Sequence, residues 1–433
     1  MRFFRFGKFW PRTKGRMGVA LAAGLLLGAA LGAGGCADRQ RRNPLDPRAT
    51  GVEAPSGLQS RALDGRVELE WDYGFFNDIE GYRLYRRQPG GEFARFPAED
   101  LPASAQAYTD SLVENEETYE YRLGLLVRGE GEVDLGDVRR ATPGAGVPWV
   151  ADRGSGLVWR LCADGRSACG AQGVFGDMRG IGVDRRSASL WVSDGFFSGL
   201  ARVDTAAQVE LLAAGLEEPG ALSIDPERPF GWVADRATGA VYWFETEGPT
   251  ASPPDSLRLT EADANFRGPF LLAATDGRCW IVDRGDGRAI LYERDGGRRV
   301  EWRRVGSPVA VAATRRAAWV LAEEGAVLLR LDDGGGALEI ELPFGRGTAL
   351  AVDRSSGECW VMGEGDIASY ASSGALTRHW PDVPGGLGLA VDGRRRQVWV
   401  ATGGTVWKFS YAGENLARLT GFATPSLVEV RPD

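Results

Sequence analysis

A tryptophan followed by an apolar residue recurs along the C-terminal two thirds of this chain at a nearly constant spacing. The seven copies, 39 to 48 residues apart, are Trp149, Trp191, Trp232, Trp280, Trp319, Trp360 and Trp399. A period of about 40 residues is typical of folds that stack one supersecondary unit on the next. Half of the 14 tryptophans occupy this one position, so we expect them to pack between repeats rather than to bind a ligand.

Each repeat contains four short segments with strand character. The first ends in a pattern such as IGVD, LSID or LAVD, the second carries the tryptophan, and a turn separates the second from the third. Four strands at this period predict the blades of a β-propeller. Glycine contributes 61 of the 433 residues, roughly twice its usual share, which agrees with a β-rich chain that makes many tight turns.

The two ends of the repeat region predict how the ring closes. No inner strand precedes Trp149, whereas residues 426–430 read as an inner strand that no further blade follows. Pairing these two ends completes a blade and leaves no open sheet edge. The sequence therefore predicts a seven-bladed propeller over residues 145–433, closed by the C-terminal strand. In architecture, though not through a diagnostic motif, the repeats resemble those of NHL and related propellers.

Residues 55–144 form a separate region of short alternating strands, in which Val67, Leu69 and Trp71 alternate with glutamates. The region resembles a fibronectin type III module along its whole length, through Pro55, Leu58, Trp71, Gly81, Tyr82, Tyr85, Tyr119, Tyr121 and Pro143. The resemblance implies a β-sandwich with Trp71 in its core and a tyrosine corner. Its expected role is that of a spacer, so the predicted fold class is all-β throughout.

The N-terminus has the pattern of an export signal. Residues 1–16 carry six basic side chains and no acid, and an apolar stretch follows from Gly18 to Gly35. The segment LGAGGC, ending at Cys36, resembles the lipobox of bacterial lipoproteins, with Ala33 where that family usually has leucine. The resemblance implies that Cys36 is acylated and that the protein is held on a membrane of the bacterial cell envelope. The alternative is an uncleaved anchor, although eighteen apolar residues barely span a bilayer.

Charge and composition narrow the classes of partner and chemistry. Residues 36–54 are polar and read as a tether, and removal of residues 1–35 changes the net charge from −8 to −14. An acidic exported body argues against a nucleic-acid partner. His379 is the single histidine, which excludes multi-histidine metal sites and most histidine-dependent triads. No cofactor, metal site or catalytic residue is predicted.

The cysteines beyond Cys36 fall into two groups. Cys162 and Cys169 flank the turn sequence ADGRSA, and in an oxidising compartment we predict a disulfide between them; the alternative is two free thiols. Cys279 and Cys359 each directly precede a repeat tryptophan. Because these are equivalent positions in different repeats, we expect two separate, buried, unpaired cysteines.

Two sets of charged residues are candidates for a binding site. Arg179, Arg267 and Arg346 each precede a glycine just before an inner strand of an alternate repeat, and together they predict an anion-attracting ring at one end of the channel. The alternative is that each arginine pairs with a nearby aspartate. The second set follows the repeat tryptophan and comprises Asp152, Asp194, Asp235, Asp283 and Glu323. We expect these acids to cap their own turns; the alternative is metal binding.

The inner strands offer little chemistry. Propellers that resemble gluconolactonases place carboxylate and amide metal ligands at the channel mouth, but the corresponding residues here are small: Gly182, Ser223, Ala310, Ala351 and Ala390. Glu429 is an isolated candidate ligand. The sequence thus favours an exported, lipid-anchored binding or scaffold protein that engages an envelope protein or an anionic ligand. The alternative function is a metal-dependent propeller hydrolase or lactonase.

The anchoring hypothesis predicts that Cys36→Ser abolishes acylation, because serine has no thiol to accept the lipid. Wild-type protein from native membranes should partition into the detergent phase and show a lipid adduct on Cys36 by mass spectrometry. The variant should remain in the aqueous phase. Recovery of an unmodified Cys36 thiol from native membranes would contradict the hypothesis.

Overall fold

The computed structural model describes residues 57–73, 78–144, 148–173, 175–205, 208–212, 214–247, 259–268 and 270–430. The chain divides into two compact units, Met1–Ala54 and Pro55–Asp433, and all described residues belong to the second. The predicted leader, Cys36 and the tether therefore lie outside them. Within the described ranges no helix is long and apolar enough to cross a membrane.

The N-terminal part of the second unit is a pair of antiparallel sheets. Its strands are β1 (Gln59–Leu63), β2 (Arg66–Glu70), β3 (Ile79–Arg87), β4 (Ala94–Arg95), β5 (Leu101–Pro102), β6 (Ala107–Asp110), β7 (Tyr119–Val127) and β8 (Gly131–Ala141). One sheet has the order β1-β2-β6, and the other has the order β4-β3-β7-β8 with β5 paired to β3. The short strands β4 and β5 thus lie beside β3 in the second sheet.

The core between these two sheets is aromatic. Trp71 is 3 % exposed and its ring centroid lies 5.5 Å from that of Tyr82. At the start of β7, the Tyr119 hydroxyl accepts a hydrogen bond from the backbone N–H of Glu114. The Tyr121 hydroxyl is fully buried and donates to Asp110. The alternation of apolar residues seen in the sequence therefore places these rings on the inner faces.

The remainder of the described chain forms seven antiparallel sheets of four strands each. The strands of the first four sheets are β9 (Pro148–Asp152), β10 (Leu157–Leu161), β11 (Ala168–Gly173); β12 (Met178–Val183), β13 (Leu190–Asp194), β14 (Gly199–Val203), β15 (Val209–Leu212); β16 (Pro219–Ile224), β17 (Phe230–Asp235), β18 (Ala240–Glu245), β19 (Thr260–Asp263); and β20 (Phe270–Thr275), β21 (Arg278–Asp283), β22 (Arg288–Glu293), β23 (Gly297–Arg303).

The strands of the last three sheets, and the strand that completes the first, are β24 (Ala310–Ala313), β25 (Ala317–Ala322), β26 (Val327–Asp332), β27 (Ala337–Glu341); β28 (Gly347–Asp353), β29 (Glu358–Gly363), β30 (Asp366–Tyr370), β31 (Leu376–Pro381); β32 (Gly388–Asp392), β33 (Gln397–Thr402), β34 (Thr405–Ser410), β35 (Asn415–Thr420); and β36 (Pro425–Val430). A 3₁₀ turn, Glu323–Gly325, follows β25. The prediction of an all-β chain is confirmed.

The repeat tryptophans lie in the apolar layers between neighbouring sheets. All seven are between 0 and 2 % exposed. Trp191 packs with Leu222 and Val233 of the following sheet, and Trp319 packs with Val361 of the sheet after its own. The predicted structural role of the tryptophans follows from this arrangement, because each indole fills the space between two sheets.

The C-terminal strand joins the first sheet. β36 pairs with β9 in antiparallel register, with Val428 opposite Val150 and Glu429 opposite Trp149, so sheet 1 has the order β11-β10-β9-β36. Trp399 of the last sheet packs in one cluster with Val428 and Val430. The first strands of successive sheets contact one another, and this series returns to β36. The two ends of the repeat region are therefore held together by both hydrogen bonds and apolar packing.

The loop between β10 and β11 joins the sandwich to the last sheet. Cys162 and Cys169 form a disulfide across this loop, with a Cα–Cα distance of 5.2 Å. The Ala163 N–H donates to the Ala62 carbonyl of the sandwich at 3.2 Å, and the Lys408 ammonium donates to the Ala163 carbonyl at 3.0 Å. Lys408 is buried over the Trp399 ring, and burial lowers its pKa to about 8.

Removal of residues 426–433 should unfold the ring at a lower temperature, because it exposes the edge of β9 and the apolar layer beneath it. Val428 and Val430 are 5 and 6 % exposed, and the loss of two buried valines costs about 3–6 kcal/mol. At about 2 °C per kcal/mol, the lower end of the range for large domains, that corresponds to a fall in Tm of about 6–12 °C. Calorimetry of the truncated and full chains measures the difference.

The matched control removes residues 431–433 alone and retains β36. Its Tm should equal that of the full chain. A Tm for the longer truncation that also equals the full chain's would show that β36 does not hold the first sheet to its neighbours.

Candidate functional site

The four aspartates that follow repeat tryptophans bind the backbone of a neighbouring loop. They end the second strand of their sheets and are 0–1 % exposed. Asp235 accepts hydrogen bonds from the N–H groups of Glu217 and Glu218, each at 3.0 Å, in the loop that leads into β16. Asp194 and Asp283 bind the corresponding lead-in loops of β12 and β20. The sequence predicted only caps of their own turns; the structure adds these contacts.

Asp152 shows that the C-terminal strand is held in the same way. Its carboxylate accepts hydrogen bonds from the N–H groups of Ala423 and Thr424, which lead into β36, and from the Ser155 hydroxyl. Burial opposes ionisation of this carboxyl, but the hydrogen bonds outweigh it and hold the Asp152 pKa below its ordinary value. The loop before β36 is thus held by the same aspartate-to-backbone contact that holds the lead-in loops of β12, β16 and β20.

Glu323 does not belong to this set, in contrast to the expectation from sequence. Measured from the tryptophan, the position of the four aspartates is occupied by Ala322 in the fifth sheet, Gly363 in the sixth and Thr402 in the seventh. Glu323 lies one residue further along, in the 3₁₀ turn. The aspartate contact is therefore restricted to the first four sheets.

A second set of aspartates caps the turns at the other end of the inner strands. Asp225 accepts hydrogen bonds from the N–H groups of Asp276 and Gly277 in the next sheet. Asp353 accepts one from the Tyr411 hydroxyl, also in the next sheet, at 3.1 Å. These carboxylates are committed to protein donors. Among the described residues, no group of three or more histidine, cysteine, aspartate or glutamate side chains is placed to hold a metal ion.

The three candidate arginines each lie beside acidic side chains. Arg179 pairs with Asp177 and with Glu218, both at 2.7 Å. Arg267 lies 3.7 Å from Asp286 and is 80 % exposed, and Arg346 lies 3.4 Å from Glu324 and is 61 % exposed. An anion at this end of the channel would compete with these carboxylates. The geometry favours the alternative of local ion pairs over a shared anion site.

The channel end with these arginines also exposes apolar side chains. We call it the loop face; it comprises the loops that lead into the inner strands and the turns between second and third strands, including Phe196 and Leu387. Phe196 is 79 % exposed and Leu387 is 60 % exposed. Phe196 is held in place because its N–H donates to the buried Asp194 carboxylate at 2.8 Å. The loop face therefore presents an aromatic ring on a rigid turn.

A cavity of about 240 Å³ occupies the central channel toward the opposite end. The inner-strand residues paired with the seven tryptophans form what we call the channel ring: Gly182, Ser223, Ala273, Ala312, Ala351, Ala390 and Glu429. The sequence pattern suggested Ala310 as the equivalent residue in the fifth sheet, but the residue paired with Trp319 is Ala312. Six ring members line the cavity, and Glu429 is the single ionisable one.

Arg354 is the site residue that the sequence analysis missed. It follows the capping residue Asp353, in the turn after β28, and lines the same cavity as Glu429. Its guanidinium lies 3.5 Å from the Ala274 carbonyl in β20, two sheets away. Arg185 and Arg315 occupy the same repeat position as Arg354 in the second and fifth sheets. The sequence therefore contains no signal that distinguishes Arg354 as the arginine that reaches across the channel.

The remaining predicted residues have structural surroundings. Cys279 and Cys359 are buried and unpaired with each other, and burial raises the pKa of both thiols. His379 lies on the outer strand β31, with its Nε2 atom 2.9 Å from an Asp366 carboxylate oxygen. None of these three side chains lines the channel cavity.

Several solved structures share this architecture at low sequence identity. A functionally unknown protein from Desulfotomaculum acetoxidans is 12% identical, with a TM-score of 0.54, over 67% of this chain and 100% of that one. Apo AztD from Citrobacter koseri is 10% identical, with a TM-score of 0.51, over 66% of this chain and 98% of that one. The chain contains a β-propeller. No protein-family model matches the sequence, and no curated protein does.

The aspartate contacts predict that Asp235→Ala destabilises the fold because backbone hydrogen bonds are lost, and that the stability of the wild type does not depend on a bound metal ion. The substitution leaves the N–H groups of Glu217, Glu218 and Ala237 without their acceptor, and each lost hydrogen bond costs about 0.5–1.5 kcal/mol. The Tm should fall by several degrees, whereas Asp295→Ala, at an exposed turn, should leave it unchanged. Addition of EDTA or calcium should not alter the wild-type Tm; a decrease with EDTA would instead support the metal alternative.

Proposed function

We propose that this protein is an exported, lipid-anchored binding or scaffold protein of the bacterial cell envelope. In this proposal residues 1–35 are the signal, Cys36 carries the lipid, and residues 36–54 are the tether. The sandwich is a fibronectin type III module that acts as a spacer, and the seven four-stranded sheets are the blades of one closed propeller. The sheet orders of the sandwich and the Tyr119 hydrogen bond to Glu114 support the module assignment.

The observation that carries the binding function is the exposed Phe196 on the loop face. Phe196 is 79 % exposed, and transfer of its apolar side chain from water into a contact with a partner is favourable. Arg267 and Arg346 lie on the same face and are mostly exposed. Aromatic residues and arginines are enriched at protein interfaces, so the proposed partner is another envelope protein rather than a nucleic acid.

The test is recovery of partners by the full-length lipoprotein from detergent-solubilised membranes. Phe196→Ser should reduce the recovered partner at least tenfold, which corresponds to about 1.4 kcal/mol of binding free energy. The fold should be unaffected, because Phe196 is mostly exposed.

The matched control is Leu376→Ser, which removes an apolar side chain that is 52 % exposed on the outer strand β31. It should recover the same partner as the wild type. Equal recovery by the Phe196 variant and the wild type would show that the loop face is not the binding surface.

A further inference from the structure

The channel ring is asymmetric in one chemical respect. Six of its members are glycine, alanine or serine, and the seventh is Glu429 on the C-terminal strand. The Glu429 side chain is surrounded by protein but remains in contact with solvent through the channel. Within the described part of the chain it has no ion pair and no hydrogen bond. The channel therefore contains a carboxylate without a protein partner.

Arg354 supplies the opposite charge in the same cavity. The negative charges of Glu227 and Glu429 act on its guanidinium, yet no carboxylate among the described residues lies within ion-pair distance of it. Glu227 accepts a hydrogen bond from the Asp276 N–H, so its carboxylate is partly committed. Glu429 and Arg354 thus face one cavity as separated charges of opposite sign.

The side chains of Glu429 and Arg354 are both reached by solvent through the channel, but the surrounding protein partly dehydrates each charge. Burial raises the pKa of Glu429 to about 7, against the lowering effect of Arg354. It also lowers the pKa of Arg354. A partly dehydrated ionised group is stabilised when a bound group of opposite charge replaces its lost hydration. A simple anion would meet the like charge of Glu429, and a simple cation would meet that of Arg354. A ligand that carries both charges satisfies both residues.

The rest of the cavity limits the size and polarity of such a ligand. The cavity has a volume of about 240 Å³ and opens to solvent through the channel. Leu222, Leu272 and Leu389 belong to the strands around the cavity, but their side chains pack between sheets and are only 6–8 % exposed. The surface that faces the cavity is therefore mainly polar, and a small polar molecule that carries both charges fits it.

We propose that the central channel binds a small zwitterion of the amino-acid type, with its ammonium group at Glu429 and its carboxylate at Arg354. Because Arg354 lies in a turn at the opposite end of the inner strands from the loop face, this site is distinct from the proposed protein-binding surface. A ligand here and a partner there are separable by mutation.

Isothermal titration calorimetry of the full chain, with the neutral L-amino acids as probes, tests the proposal. L-Leucine is compared with 4-methylpentanoate, which lacks the ammonium group, and with 3-methylbutylamine, which lacks the carboxylate. At least one neutral amino acid should bind at least tenfold more tightly than its two single-charge analogues. Absence of binding by every amino acid at 10 mM, or equal binding by either analogue, would overturn the proposal.

Two variants that each remove one charge test which residue binds the ammonium group and which binds the carboxylate. Glu429→Gln and Arg354→Gln should each weaken binding of the amino acid at least tenfold, while circular dichroism and the Tm verify the fold. Glu339→Gln, on the exposed outer strand β27, and Arg128→Gln, in the sandwich, are the matched controls and should bind as the wild type does. Unchanged affinity in the Glu429 or Arg354 variant would overturn the assignment. Recovery of the membrane partner should be unaffected by either variant.

Discussion

Packing of one tryptophan between each pair of neighbouring sheets is the interaction on which the propeller depends. The sheets are twisted, so the layer between them needs a large rigid side chain at a fixed depth, and the indole provides it. Each tryptophan lies on the second strand of its sheet, directly opposite a member of the channel ring on the neighbouring inner strand. A small residue there, such as Ala351 opposite Trp360, leaves room for the indole and keeps the channel open.

Polar contacts complement this packing by holding the loops. Asp152, Asp194, Asp235 and Asp283 bind the lead-in loops of their sheets, and these loops set the height of the inner strands in the channel. Asp152 binds the loop before β36 in the same way as the other three aspartates bind their lead-in loops. The strand β36 therefore lies at the same height in the channel as the inner strands of the other sheets. Glu429 consequently faces the cavity that the alanines of other sheets line.

Most of the fold could be predicted from the repeat, but less of the site. The tryptophan spacing and the unmatched ends led to the sheet count and to the pairing of β36 with β9, because periodic burial is a local property of the sequence. The predicted arginine ring depended on side-chain neighbours. Arg179 pairs with Asp177, two residues away in the sequence, and with Glu218, in the lead-in loop of the next sheet. Sequence spacing does not relate Arg179 to Glu218.

The sequence by itself determined the all-β repeat, the buried tryptophan position and the small residues along the inner strands, since each is expressed as a pattern within one repeat. Only the tertiary structure decided that Ala312, rather than Ala310, is the ring member, because strand register fixes which residue faces the tryptophan. It also decided that Arg354 reaches two sheets across the channel to Ala274. Such contacts arise from closing the chain on itself, where residues from distant repeats share one enclosed space.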